Sequence, residues 1–145
     1  MEVNFTLEGE PKGKGRPRFN TKTGRTYTPS DTKSYERNVR NAYIFQCNNF
    51  KFSDDAMLDM RIKAYYGIAK SDSKKVKAAK LEGLLRPTKK PDMDNVVKIV
   101  ADALNEVAYH DDTQVVDCQV RKFYSEVPRI EVRLIEVGQR EDDKQ

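Results

Sequence analysis

The chain has no tryptophan, one histidine and two cysteines among 145 residues. Each shortage removes a class of chemistry. With His110 alone, no histidine-pair metal site can form, and one imidazole would have to serve every serine or cysteine nucleophile. Cys47 and Cys118 stand far apart and make neither a CxxC pair nor a zinc-ligand pattern. They read as buried, reduced thiols of a cytoplasmic protein. GxSxG is missing, and so is the GxxxxGK[ST] that would make Gly9, Gly13 and Gly15 part of a P-loop. No apolar run approaches the roughly 20 residues of a membrane span. The N-terminal MEVNFTLEGE lacks the basic start and apolar stretch of a signal peptide, so no membrane association is expected. Glycoside hydrolysis by paired carboxylates stays formally open, although the lack of tryptophan counts against a sugar platform.

Charge is plentiful. Lys and Arg number 27 against 23 Asp and Glu, which gives +4 and a pI of about 9.0. That balance suits a nucleic-acid partner and equally an ordinary basic surface. The length suits one domain, residues 1–137, large enough to bury a core. Gly138–Gln145 is polar and reads as a flexible tail.

Hydrophobic periodicity supplies the elements. Val3, Phe5 and Leu7 alternate in a first strand. Gly9–Ser30, rich in glycine, proline and basic residues, reads as a loop. Tyr35, Val39, Ala42 and Tyr43 fall at helical spacing, with Ser30 or Asp31 as cap. Leu58, Met60, Ile62, Ala64 and Tyr66 mark a second strand. Ser71–Glu82 reads as a basic helix stopped at Gly83. From about Asp94 to Val107, the spacing of Val97, Val100, Ala101 and Leu104 predicts an amphipathic helix. Val116, Cys118 and Val120 form a third strand, and Ile130, Val132 and Leu134 a fourth, expected to pair with the third as a hairpin. The order β-α-β-α-α-β-β predicts an α+β domain with helices on a small mixed sheet.

The chemistry concentrates in residues 86–114, RPTKKPDMDNVVKIVADALNEVAYHDDTQ. Asp92 and Asp94 flank Met93 where the chain enters a helix. If the approach is extended, positions i and i+2 aim both carboxylates into one space. They could equally cap the helix and answer its dipole. Lys98 lies one turn beyond Asp94, either as a surface ion pair or as a cation beside a phosphoryl oxygen. Asp102 continues that stripe, about 11–12 Å from Asp94, and is expected to bind Lys98 or nearby backbone. Asp111 and Asp112 follow the helix, either as a solvated turn or folded back toward the site. Carboxylates beside the basic approach of Arg86, Lys89 and Lys90 suit a hard cation acting on a polyanion.

The string Lys90-Pro91-Asp92-Met93-Asp94-Asn95, then Lys98, Asp102-Ala103-Leu104-Asn105 and Asp111-Asp112-Thr113-Gln114-Val115 resembles the RusA family of Holliday junction resolvases. Lys122 stands where that family has a lysine on the following strand. The resemblance implies an endonuclease that resolves four-way DNA junctions with Mg2+, with Mn2+ able to substitute, and no small-molecule cofactor. It implies a homodimer in which each subunit nicks one of two opposed strands, in recombination and repair. Asp92, Asp94 and Asp112 match the family's metal-binding catalytic aspartates and Lys98 its catalytic lysine, with Asp111 in support. Lys14, Arg16, Arg18, Lys89, Lys90 and Lys122 are the candidate DNA contacts. The chain departs from the family's familiar form in its more basic Gly9–Ser30 loop and in the helix inserted before the motif, and resembles phage-type members there. A non-catalytic nucleic-acid-binding protein is the competing reading. The full set of aspartates with Lys98 argues against it, because a binding module near phosphate has no use for a negative focus. A metal nuclease acting on flaps and forks is not separated from a strict resolvase.

Overall fold

The computed structural model describes residues 1–15, 18–27 and 30–138, with the side chains of Arg18 and Tyr27 outside that description. In chain order the elements are β1 (Glu2–Glu8), β2 (Arg18–Asn20), β3 (Arg25–Tyr27), α1 (Ser30–Gln46), β4 (Met57–Gly67), α2 (Lys74–Leu81), α3 (Met93–Leu104), a 3-10 turn (Asp112–Gln114), β5 (Val115–Ser125) and β6 (Arg129–Val137). The α+β expectation holds: the helices pack on one face of a mixed four-stranded sheet of order β1-β6-β4-β5, and β2-β3 form a separate ribbon. Among the described residues no helix is long and apolar enough to cross a membrane.

The alternation of β4 sets the core. Leu58, Met60, Ile62, Ala64 and Tyr66 all point under the helices and are buried, as are Ile130, Val132 and Leu134 of β6. Against them lie Tyr35, Val39 and Tyr43 of α1, with Phe5 edge-on to Tyr43 at 5.6 Å. Each such large side chain contributes about 1.5–3 kcal/mol by leaving water.

Several expectations need correction. The third and fourth strands do not pair as a hairpin: β6 lies between β1 and β4, and β5 runs parallel to β4 on its other side. The link from Ser125 to Arg129 crosses the end of β4 instead. Gly67 permits this, because a Cβ there would meet Pro128 Cγ at 3.3 Å and Glu10 Oε1 at 2.2 Å. Gly9 N–H donates to Pro128 O and Gly67 N–H to Glu10, which fastens the crossing. The two most apolar strands thereby take the centre, where both edges are paired.

Gly9–Ser30 is not wholly loop, since it contains the β2-β3 ribbon. Asn20 Oδ1 accepts from the N–H groups of Lys22 and Thr23 and builds the turn, which Gly24 completes at φ +70°. The buried residues of α3 are Val96, Ile99, Val100, Ala101, Ala103 and Leu104, so three of the four expected positions are buried and Val97 is only partly covered. Cys47 is buried as expected, but Cys118 is exposed, because the helices only half cover the inner face of edge strand β5. Residues 139–145, most of the expected tail, lie outside the described residues.

Candidate active site

α3 is the spine of the site. Its approach is tied to the sheet by Tyr66, whose hydroxyl donates to Pro91 O at 2.7 Å. The helix begins at Met93, so Asp94 sits inside the first turn and not in an extended segment. The i, i+2 argument for aiming Asp92 and Asp94 together therefore does not apply. Asp92 holds the N-cap position with φ −69° and ψ 154°, yet its side chain makes no capping hydrogen bond. The carboxylate is exposed and near enough to Tyr66 to join burial in pushing that phenol up to about 12.

A cleft of about 790 Å³ opens beside Asp92, walled by the Pro11–Gly15 loop, Asp31 and Thr32 of α1, and Lys90, Pro91 and Asn95. The loop lies hard against the helix start. Lys14 N–H donates to Asn95 O at 3.0 Å, and Gly13 is so close that a Cβ would stand 2.8 Å from Asn95 Cβ.

The second group of carboxylates lies farther along the helix. Asp112 N–H donates to Asn105 Oδ1 at 2.9 Å, which anchors the acidic turn to the C-cap of α3. Gln114 fixes the same turn from below: its Oε1 accepts from the N–H groups of His110 and Asp111, and its Nε2 donates to Ser53 O and Ala56 O. Asp112 is half-buried. Burial, then the charge and hydrogen bond of Asp111 and the charge of Asp102, raise its pKa above the ordinary carboxylate value, with Lys98 pulling the other way. Asp112, Asp111, Asp102 and Lys98 thus share one electrostatic neighbourhood. Asp92 and Asp94 stand at the start of a helix about 18 Å long. Among the described residues, no three His, Cys, Asp or Glu side chains converge closely enough to hold one ion.

The donor chemistry nonetheless fits a hard cation. The carboxylates are oxygen donors, Asp92 is not spent on capping, and Asp112 carries a charge its surroundings oppose. Magnesium asks for only one or two carboxylates and keeps several waters.

The basic candidates divide. Lys89 and Lys90 are exposed at the mouth of the site. Lys98 is exposed, and among the described ion pairs it takes part in none, so the i, i+4 pair with Asp94 is not formed. Lys14 is not a free cation: its ammonium bridges Glu36 and Asp102, the latter at 3.3 Å. Asp102 accordingly binds Lys14 in place of the expected Lys98. Lys122 Nζ donates to Lys89 O at 2.8 Å and lies 5.0 Å from the Tyr66 ring centroid, so it holds the Lys89 segment in place. Arg16 and the side chain of Arg18 lie outside the described residues. His110 is an exposed turn residue against Glu106. Sequence reading missed Asn105 and Gln114. Both stand inside the motif string, and their side chains, not their neighbours, hold the acidic turn.

Comparison with known proteins places the chain in a family. A protein of Bacillus subtilis (strain 168), the uncharacterized YqaN, is 43% identical over 140 residues, covering 94% of this chain and 97% of its own. The profile described as Endodeoxyribonuclease RusA matches residues 8–135, which takes in the Pro11–Gly15 loop, all of α3 and the acidic turn. Members of that family act on branched DNA and depend generally on a divalent metal. On a match that spans most of its length, the chain belongs to the RusA endodeoxyribonuclease family.

Proposed function

We propose that this protein is a magnesium-dependent endonuclease that resolves four-way DNA junctions by paired, symmetric nicks. The observation that carries the reading is the negative focus beside Lys98. Asp112 is tied to Asn105 at the end of α3, and burial first, then Asp111 and Asp102, push its pKa up. Such an arrangement is costly in a DNA-binding surface unless a cation occupies it.

Asp92, Asp94 and Asp112 are the oxygen donors we assign to the ion; because no three described carboxylates converge on one point, one or two of them would bind it directly and water would complete its shell. Bound magnesium supplies polarisation of a phosphate oxygen and a more acidic water, and manganese substitutes for it. The protein's own groups do the rest. Lys98 offsets the charge that builds on the phosphoryl oxygens. Lys89 and Lys90 draw the backbone to the site, and Lys122 fixes where they stand. Lys14 keeps Asp102 engaged and away from the phosphate. A junction presents two equivalent strands, which a homodimer with a two-fold axis matches. Recombination and repair are the processes this chemistry serves.

Strand cleavage tests the reading. A fixed four-way junction and a linear duplex of the same arm sequence are compared with and without magnesium, with Asp94→Asn alongside. Paired nicks in the junction alone, requiring magnesium and lost in the variant while binding survives, are expected. Cleavage of flaps or forks at the same rate would replace the strict resolvase with a broader nuclease. Binding without cleavage under magnesium or manganese would sink the enzymatic reading.

A further inference from the structure

The face of the sheet turned away from the helices carries a pattern the nuclease site does not use. Reading across β1, β6, β4 and β5, the register gives rows: Glu8-Arg129-Tyr65-Phe123, then Thr6-Glu131-Lys63-Arg121, then Asn4-Arg133-Arg61-Gln119, then Glu2-Ile135-Asp59-Asp117. The two middle rows form a shallow depression of about 320 Å³. They hold four cations against one carboxylate, and Arg61, Lys63, Arg121 and Arg133 are exposed.

Two directly opposed pairs on this face are like-charged, Lys63 with Arg121 and Arg61 with Arg133. Like charges in register destabilise a sheet. The cost is partly met within the fold. Arg61 reaches Asp59 at 3.1 Å, Arg133 reaches Glu2 at 2.9 Å, and Glu131 stands opposite Lys63. Among the described residues Arg121 makes no ion pair, and its guanidinium lies 5.7 Å from the Phe123 ring centroid. It stands opposite Lys63, at the free edge strand, with Gln119 and Phe123 as same-face neighbours along β5.

The next row supplies planar groups. The Tyr65 and Phe123 rings stack at 5.6 Å and 26°, both half-buried, with the Arg129 guanidinium 3.9 Å from the Tyr65 centroid and Arg86 4.4 Å from that of Phe123. A row of cations beside rings and guanidinium planes on an open sheet matches a phosphate backbone with its bases turned inward. Duplex DNA hides its bases and would use only the cations.

We infer that this outer face binds single-stranded nucleic acid, with Lys63 and Arg121 against phosphates and the Tyr65–Phe123 row against a base. The surface lies across the sheet from α3 and stands independently of the nuclease reading.

Fluorescence anisotropy with a labelled single-stranded oligothymidylate, in metal-free buffer so that nothing is cut, tests it. Arg121→Glu is the informative variant. It gives Lys63 an opposite charge across the strand, so a folding defect is not expected. Single-strand affinity should fall roughly tenfold or more, with a shallower salt dependence. Affinity for a duplex of equal length, which meets the cations but not the rings, should fall by clearly less than that for the single strand. Phe123→Leu should weaken the single strand by roughly fivefold or more and leave the duplex unchanged. Unchanged single-strand affinity in both variants overturns the inference. So does an equal loss on duplex, which would mean general charge attraction. A shift in sedimentation of Arg121→Glu overturns it too, since that would make the face a contact between two copies. Junction cleavage by Arg121→Glu under magnesium should match the unaltered protein. A failure of cleavage in both would count against the nuclease reading alone.

Discussion

The main-chain N–H of Asp112 donates to Asn105 Oδ1 at 2.9 Å, joining the acidic turn to the C-cap of the helix that carries Asp92, Asp94 and Lys98. One neutral amide therefore sets where a charged catalytic candidate stands. Asn105→Ala leaves that N–H without its partner and should cost about 1 kcal/mol. The larger effect is on position. Junction cleavage under magnesium should fall between roughly tenfold and a hundredfold, as displaced reacting groups do. Urea unfolding and single-turnover cleavage separate the two effects. Full cleavage with reduced stability would show that Asn105 only supports the fold.

Lys14 joins Glu36 of α1 to Asp102 of α3 from the loop that lines the cleft. Lys14→Met keeps the stem and strands two half-buried carboxylates. The cost should be about 1–3 kcal/mol, between the values for exposed and buried pairs. Burial alone pulls the Lys14 ammonium down. The hydrogen bonds and charges of Glu36 and Asp102 outweigh it, so the net shift is upward from 10.5. A raised lysine stabilises fully below its unfolded value and loses that contribution as pH rises through the folded one. The stability gap between the unaltered protein and Lys14→Met should hold steady through neutral pH and close only above about 10.5. Urea midpoints across that range decide it. A gap that closes near neutrality would assign the contribution to another group.

Much of this architecture is legible in the residues, and the failures have physical causes. The period of two in Leu58–Tyr66 and Ile130–Leu134 announces strands, because both lie on a sheet with one buried face. The α3 stripe is legible at Val100, Ala101 and Leu104, which are buried, and its buried band is wider than the four-residue pattern, since apolar residues at 96, 97, 99, 100, 101, 103 and 104 exceed one face. Packing against α1 and the sheet chose Val96 and Ile99 over a full burial of Val97. β2 and β3 are too short for any period to show. The short Glu126–Pro128 link suggested a hairpin, and nothing local reveals that β4 lies between the strands it joins.

The site divides the same way. The carboxylates and Lys98 stand out as candidates because their residue types and spacing within one helix and one turn suit a metal-dependent site. The duty of Lys14 could not, because its partners come from two helices distant in sequence. Treating it as a DNA contact was the natural reading of a basic, glycine-rich loop.

Gly13 offers a test of that loop's docking. A Cβ there would stand 2.8 Å from Asn95 Cβ and 2.9 Å from Pro91 Cβ. Both obstacles are fixed to main chain or a ring, and neither can swing aside. Gly13→Ala should push the loop from the helix start, break the Lys14 N–H bond to Asn95 O, and cost about 1–3 kcal/mol. Gly9→Ala is the control for simple glycine loss, with open space around its Cβ but a φ of +117°. Gly13→Ala should lower junction cleavage beyond its loss of stability, and Gly9→Ala should not. Equal behaviour of the two would mean that the close approach at Gly13 has no part in the site.

Asp112 yields the prediction that ties the fold to the chemistry. Burial first, then Asp111 and Asp102, raise its pKa from 3.8. The folded state therefore holds this proton to higher pH than the unfolded chain does. Below 3.8 the group carries no penalty. As pH rises from there through the folded value, ionisation costs stability, and above it the cost is constant. Asp112→Asn cannot ionise and keeps the main-chain bond to Asn105. The variant should match the unaltered protein in acid, gain on it as pH rises through that window, and be the more stable of the two at neutral pH without divalent metal. Added magnesium should narrow the gap by stabilising only the protein with the carboxylate. Thermal unfolding at several pH values, with and without magnesium, reads both effects. A variant less stable than the unaltered protein at neutral pH would mean that the Asp112 charge supports the fold, and that the proposed negative focus is already neutralised by the protein itself.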